Sequence, residues 1–312
     1  QRGHEVVIPL LAVTTHLYPI KAKVVQIPLL ASQYIPYGDI VLTNFYTTFF
    51  PAYTAWPRQT VRLSLGFEPY WVPDQEHALW TYRQGVPIIS ISRWLDEQIF
   101  LHVGQRTRVV NPGIDPHIFS PGLMMNKFER NRTKTILYIA RDPSSGYFMK
   151  GFYDFIQAMY ILQSRIPGRF VVHLICPEKD LHIPDIPYRI FRPASDQEMA
   201  LLYQSADVFV SSSWFEGYAL PPLEAMACGT PVVTTNSGGL MDYCTHMDNA
   251  YITPPRNPQA LAEGILTVLA DKALYERLTA GGLRVARLFT KQRFEQQIVG
   301  TLEQIYHYRN GR

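Results

Sequence analysis

Two glutamates, Glu216 and Glu224, stand eight positions apart around Gly217-Tyr218-Ala219-Leu220-Pro221-Pro222. Residues 207–213 upstream have the apolar run of a buried strand, and Ala-Met-Ala-Cys228-Gly229 downstream closes a short helix that the two prolines open. Glu216 therefore belongs in the loop beyond the carboxyl end of a strand and Glu224 in the first turns of the next helix, the edge where open parallel sheets bind ligands. The amides of residues 217–220 lie at the positive end of that helix and favour an anion. Two carboxylates would repel an anion unless the ligand also offers hydroxyls, so the pattern asks for a ligand that joins hydroxyls to phosphate, as a sugar nucleotide does.

Balancing cations come from a second junction, Tyr138-Ile-Ala-Arg141-Asp-Pro-Ser-Ser-Gly-Tyr-Phe-Met-Lys150-Gly151, where Arg141 closes a strand and Lys150 opens a helix. A planar guanidinium fork beside an ammonium suits a diphosphate. A third junction, Asn236-Ser237-Gly238-Gly239, offers bare backbone that a ligand can approach closely.

The chain that must position these groups has 312 residues, 47% apolar and 18% charged, enough for two cores and incompatible with disorder, collagen or coiled coil. Its 29 Lys and Arg against 26 Asp and Glu leave +3, with no basic face, so no nucleic acid is expected as partner. The longest apolar run, residues 6–13, contains Pro9 and falls far short of the roughly 20 residues that cross a bilayer. Cys176, Cys228 and Cys244 form no CxxC pair and cannot all be bridged, which fits buried thiols and a cytoplasmic location.

Short β-branched runs at 5–13, 39–44, 60–65, 86–91 and 107–110 alternate with helix-length segments. After a polar stretch at 122–132 the alternation restarts with runs at 135–140, 170–176, 189–191, 206–211 and 230–235. This order predicts two parallel α/β domains. Residues 258–308 read as two or three helices broken at Gly281-Gly282 and Phe289-Thr290. The opening Gln1-Arg-Gly-His-Glu-Val6 reads as a helix end, a glycine stop and a strand start, so a strand and most of a helix are expected upstream and the chain is read as a fragment.

These residues resemble the retaining GT-B glycosyltransferases of the glycosyltransferase 4 type. Glu216 to Glu224 matches the family's E-x7-E motif, Ala225-Met-Ala-Cys-Gly-Thr-Pro-Val-Val233 matches what usually follows it, and Val110-Asn-Pro-Gly-Ile-Asp-Pro-His-Ile-Phe119 is similar to its interdomain segment. The resemblance implies two Rossmann-like domains facing a cleft. Residues 1–120 would be an acceptor domain lacking its first strand-helix unit, 121–294 a nucleotide-sugar domain, and 295–312 a helix packing back on the first. It implies transfer of a hexose or deoxyhexose from a nucleotide diphosphate sugar to a glycan or lipid-linked acceptor, with no cofactor or metal. It also allows peripheral contact with the inner membrane face. Arg141 and Lys150 would hold the diphosphate and stabilise its departure, Glu216 the donor sugar, Glu224 the ribose, the amides of Tyr218, Ala219 and Leu220 the phosphates, and Phe191-Arg192 the base. A binding fragment without turnover and a sugar-nucleotide epimerase are the alternatives; an NAD-dependent enzyme is set aside for want of a GxGxxG.

Against the family pattern, Ala140 precedes Arg141 and the step to Lys150 contains an insertion. Leu63-Ser-Leu-Gly66-Phe-Glu68-Pro-Tyr-Trp71 lacks the histidine common there and, with Thr81-Tyr-Arg-Gln-Gly85 and Ser92-Arg-Trp-Leu95, is more similar to a subgroup that includes bacterial S-layer rhamnosyltransferases. Glu68 reads equally as a ligand-orienting or a turn carboxylate. Asp242, Cys244, His246 and Asp248 alternate as on a strand face but match no zinc spacing. His173 reads as a core histidine. Of the aromatics between Tyr34 and Trp56, most are expected inside and a subset exposed.

Overall fold

The computed structural model describes residues 3–11, 21–122, 128, 133–177 and 181–311. It divides into two compact units, Gln1–Val110 with Ile298–Arg312, and Asn111–Gln297. Among the described residues no helix is long and apolar enough to cross a membrane.

In the first unit, β1 (Val7–Leu11) and β2 (Lys23–Ile27) pair in parallel as a sheet of their own. The run expected at 5–13 is thus shorter, with residues 12 and 13 outside the described residues. Strand β2 escapes a sequence reading because Lys23 and Gln26 interrupt its apolar run. A separate parallel sheet has the order β3 (Val41–Thr43), β4 (Thr60–Ser64), β5 (Ile88–Ser90), β6 (Arg108–Val109). The intervening helices are α1 (Tyr46–Ala55), α2 (Gln75–Tyr82) and α3 (Arg93–Val103). Helix α3 starts on Ser92, whose hydroxyl accepts from the Leu95 amide, and stops at Gly104 with φ 72°, a conformation glycine takes without strain.

This unit has a charged pair in its interior. Arg62 on β4 and Glu68, in the loop that follows, are both buried and form an ion pair, with the Arg62 guanidinium 4.0 Å from the Tyr82 ring centroid. Burial pushes the Glu68 carboxyl up to about 7 against the opposing pull of Arg62. Glu68 is thus an internal countercharge, the structural side of its two sequence readings. Of the aromatics between 34 and 56, Phe49 is fully buried while Tyr37 and Phe50 are exposed.

The second unit is built on a parallel sheet of β7 (Lys134–Ile139), β8 (Phe170–Ile175), β9 (Tyr188–Phe191), β10 (Val208–Ser211), β11 (Val232–Thr235) and β12 (Tyr251–Thr253). Its spatial order is β9-β8-β7-β10-β11-β12, so the chain winds outward one way from β7 and then the other way from β10. Strand β12 has only three residues, too few for a periodic signal. Helices α4 (Phe152–Arg165), α5 (Asp196–Ser205), α6 (Leu220–Ala227), α7 (Pro258–Ala270), α8 (Lys272–Ala286) and α9 (Lys291–Arg309) follow the strands. Phe155 and Met159 of α4 and Leu261 and Ile265 of α7 join Ile136, Val172, Val208 and Val233 of the sheet in one apolar core. The later half of α9 belongs to the first unit, where Arg309 donates to the Thr60 carbonyl at 2.8 Å.

Gly281-Gly282 does not break a helix. The pair lies inside α8, and the break comes earlier, at Asp271, whose carboxylate caps the Leu274 amide. A Cβ on Gly281 would lie 2.1 Å from the Asp248 carbonyl oxygen, and one on Gly282 would meet the Met226 side chain at 2.9 Å. These glycines permit close packing rather than a turn.

Two stability measurements check this account. Gly281→Ala should cost about 1–3 kcal/mol in urea unfolding, since backbone must move. Glu68→Gln should cost about 3–5 kcal/mol by leaving the Arg62 charge buried without its partner; a loss below about 1 kcal/mol would contradict the internal ion pair.

Candidate functional site

Order reversal between β7 and β10 sends the connections from their carboxyl ends in opposite directions, and a pocket opens there. It is lined by Arg141 and Lys150 from the segment after β7, by Ser213, Glu216 and Ala219 from the loop after β10, and by Pro221 at the start of α6. Register is held behind it by buried Asp207. Its carboxylate accepts from the Thr135 amide at 2.7 Å, and its own amide donates to the Thr135 carbonyl at 2.9 Å.

Glu216 is positioned from several sides. Its Oε1 accepts from Lys150 Nζ at 2.7 Å and from Ser213 Oγ at 2.7 Å. Its amide donates to the Ser237 carbonyl at 2.7 Å, and its carbonyl accepts from the Gly239 amide at 2.9 Å. Gly238 and Gly239 therefore serve the loop that carries Glu216. A Cβ on Gly239 would sit 2.0 Å from the Gly217 carbonyl oxygen, so its bare backbone is used for loop-to-loop packing.

Lys150 does not open a helix. It ends a 3-10 turn, Phe148–Lys150, and Gly151 with φ 69° precedes α4. Its carbonyl accepts from Tyr138 Oη and Ser212 Oγ, each at 3.2 Å, and those two hydroxyls lie 2.9 Å apart. A side chain on Gly151 would clash with the Ser212 carbonyl oxygen at 2.1 Å. Arg141 lies two residues past β7, with Cζ 3.7 Å from the Tyr147 ring centroid.

At the head of α6, Ala219 has φ 60°, which a residue with a Cβ adopts at a cost of about 1–3 kcal/mol. Its carbonyl accepts from the buried Tyr243 hydroxyl at 2.5 Å. Tyr218 turns its ring inward against Tyr243 and Phe289, and burial raises its phenol pKa. Glu224 lies on α6 outside the pocket lining, accepting from Tyr203 Oη at 2.8 Å. Desolvation, the largest influence, raises its carboxyl to about 7. Phe191 ends β9 with its ring 4.6 Å from that of His173, which is half-buried on β8 rather than enclosed in the core; Arg192 is exposed.

Arg141, Lys150, Glu216 and Ala219 are thus gathered around one pocket, whereas Gly217, Tyr218, Leu220, Glu224, Phe191, Arg192, Gly238 and Gly239 are not among its lining. Sequence reasoning missed Tyr138, Ser212, Ser213 and Tyr243. The serines ending the strand run were a visible signal; Tyr138, three residues before Arg141, reads as an ordinary strand residue, and Tyr243 lies farther along the chain with no local mark.

Residues 242–248 form no strand face. Asp242 accepts from Asn111, Cys244 is buried, His246 accepts from the Ile252 amide, and Asp248 takes Arg284. Among the described residues, no group of three His, Cys, Asp or Glu side chains is placed to hold a metal ion.

Glu224 gives the site a pH signature. Its folded pKa, about 7, lies above the ordinary 4.5, so the folded chain binds more protons between those values. This contribution is complete below about pH 4.5 and lost as pH rises through about 7, at no more than about 1.4 kcal/mol per pH unit. Urea unfolding at several pH values should show a shallower decline across that window in Glu224→Gln than in the parent chain.

Residues 189–284 match the family model described as Glycosyl transferases group 1. An uncharacterized glycosyltransferase of Methanocaldococcus jannaschii is 30% identical over 203 residues, which are 59% of this chain and 51% of that protein. A D-inositol 3-phosphate glycosyltransferase of Jonesia denitrificans is 27% identical over 207 residues, 60% of this chain and 48% of that one. The chain thus spans about half the length of these curated relatives. Among solved structures, sucrose-phosphate synthase from Thermosynechococcus elongatus superposes with TM-score 0.70 at 22% identity, covering 86% of this chain and 74% of its own. Anabaena HepE in complex with UDP-glucose superposes with TM-score 0.71 at 21% identity, covering 85% and 79%. Residues 189–284 carry the signature of the group 1 glycosyltransferases, and the fold is GT-B.

Proposed function

We propose that the chain acts as a retaining glycosyltransferase that moves a hexose or deoxyhexose from a nucleotide diphosphate sugar to a glycan or lipid-linked acceptor. The observation that carries the reading is the convergence of Arg141, Lys150 and Glu216 on one pocket at the reversal of strand order, beside the segment that matches the family. In this reading the second unit takes the donor and the first the acceptor.

Arg141 and Lys150 act on the diphosphate. As the bond between the sugar C1 and the phosphate oxygen breaks, negative charge grows on the leaving group, and fixed cations there lower the barrier without a metal. The acceptor oxygen bonds to C1 on the same face, and its proton passes to the departing phosphate oxygen. Lys150, paired with Glu216 before the donor arrives, turns to the phosphates and leaves Glu216 for the sugar hydroxyls. Tyr203 holds one oxygen of Glu224, and the ribose hydroxyls meet the other.

Calorimetric titration with UDP, GDP, ADP and dTDP tests the reading. One diphosphate should bind, and Arg141→Ala should weaken it about 10- to 100-fold, the value of charge-assisted hydrogen bonds. Glu216→Ala should leave that affinity within about threefold while abolishing transfer. Binding indifferent to Arg141→Ala, or lost equally in Glu216→Ala, would sink the assignment.

A further inference from the structure

The segment between Arg141 and Gly151 is built with more internal order than a strand-to-helix connection requires. Buried Asp142 accepts from the Ser144 amide at 3.0 Å and from the Ser144 and Ser145 hydroxyls, closing a 3-10 turn at Pro143–Ser145. Gly146, at φ 88°, reverses the chain. The result returns Tyr147 to the residue that began the segment, with the Arg141 Cζ 3.7 Å from its ring centroid. The far end is pinned as well: the Trp214 amide donates to the Met149 carbonyl at 2.8 Å, and Ser212 Oγ to the Gly151 carbonyl at 2.8 Å.

Tyr147 is half-buried and stands outside the apolar core of this unit, so filling that core is not its task. A ring face against a guanidinium restrains the direction of its plane, and the contact itself consumes none of the N–H donors. That is the property a phosphate-binding arginine needs, because a fork aimed in advance loses less freedom when the anion arrives.

We infer that Tyr147 is a positioning residue for Arg141, aiming its guanidinium at the diphosphate, and that the turn from Asp142 to Gly146 serves to deliver the ring. The inference rests on the pocket being the diphosphate site proposed above.

The test titrates inorganic pyrophosphate into the parent chain, Tyr147→Phe, Tyr147→Leu, Tyr147→Ala, Arg141→Ala and the double variant Arg141→Ala/Tyr147→Ala, with a thermal melt of each. Phe should bind within about twofold of the parent, whereas Leu and Ala should bind about 3- to 30-fold more weakly, the range of one cation–π contact, at unchanged melting temperature. In the Arg141→Ala background, removing Tyr147 should have no further effect. Parent-like binding by the Leu variant would mean that bulk suffices, and an equal loss in both backgrounds would mean that Tyr147 acts without Arg141; either overturns the inference alone. Pyrophosphate that fails to bind the parent, or binds Arg141→Ala as well as the parent, overturns the diphosphate reading and the inference with it.

Discussion

Adjacency of β7 and β10 is the constraint on which the site depends. The chain turns outward in one direction from β7 and in the other from β10, so the connections leaving their carboxyl ends must part, and a hollow remains between them. Lys150 and Glu216, 66 positions apart, meet at 2.7 Å only because those strands are neighbours. Asp207, hydrogen-bonded to Thr135 across the pair, sets their register, and a slip of one residue would send alternate side chains to the wrong face.

Around that hollow, close backbone approach does as much as charge. Gly151 against Ser212 and Gly239 against Gly217 each hold two chain segments nearer than a Cβ would allow. The loops are consequently stitched to one another rather than draped over the sheet, and the carboxylate and ammonium at their tips start from defined positions. Ala219, held at φ 60° with its carbonyl on Tyr243, shows the same economy at the head of α6, where strain is kept beside the pocket.

The two units handle buried carboxyls differently. Glu68 is fully enclosed with Arg62, and its role is internal. Glu224 is half-buried with a phenol as its partner and lies just outside the lining of a pocket that presents two cations. A buried carboxylate with a full countercharge has little left to offer a ligand, whereas one held by a neutral hydroxyl retains hydrogen-bonding capacity.

Sequence alone determined what is encoded locally. The alternation of β-branched runs with amphipathic stretches, the prolines and glycine that bracket α6, and the spacing of Glu216 and Glu224 depend on neighbours a few positions away, and each was legible. Tertiary structure alone decided what depends on partners far along the chain. It set Lys150 on Glu216, gave Gly239 to the loop at Gly217, made Gly281-Gly282 a packing surface instead of a break, and put Glu68 inside on Arg62. A glycine or a carboxylate has the same local signature whether it faces solvent, a ligand or another segment, and only the packed sheet decides which of these it meets.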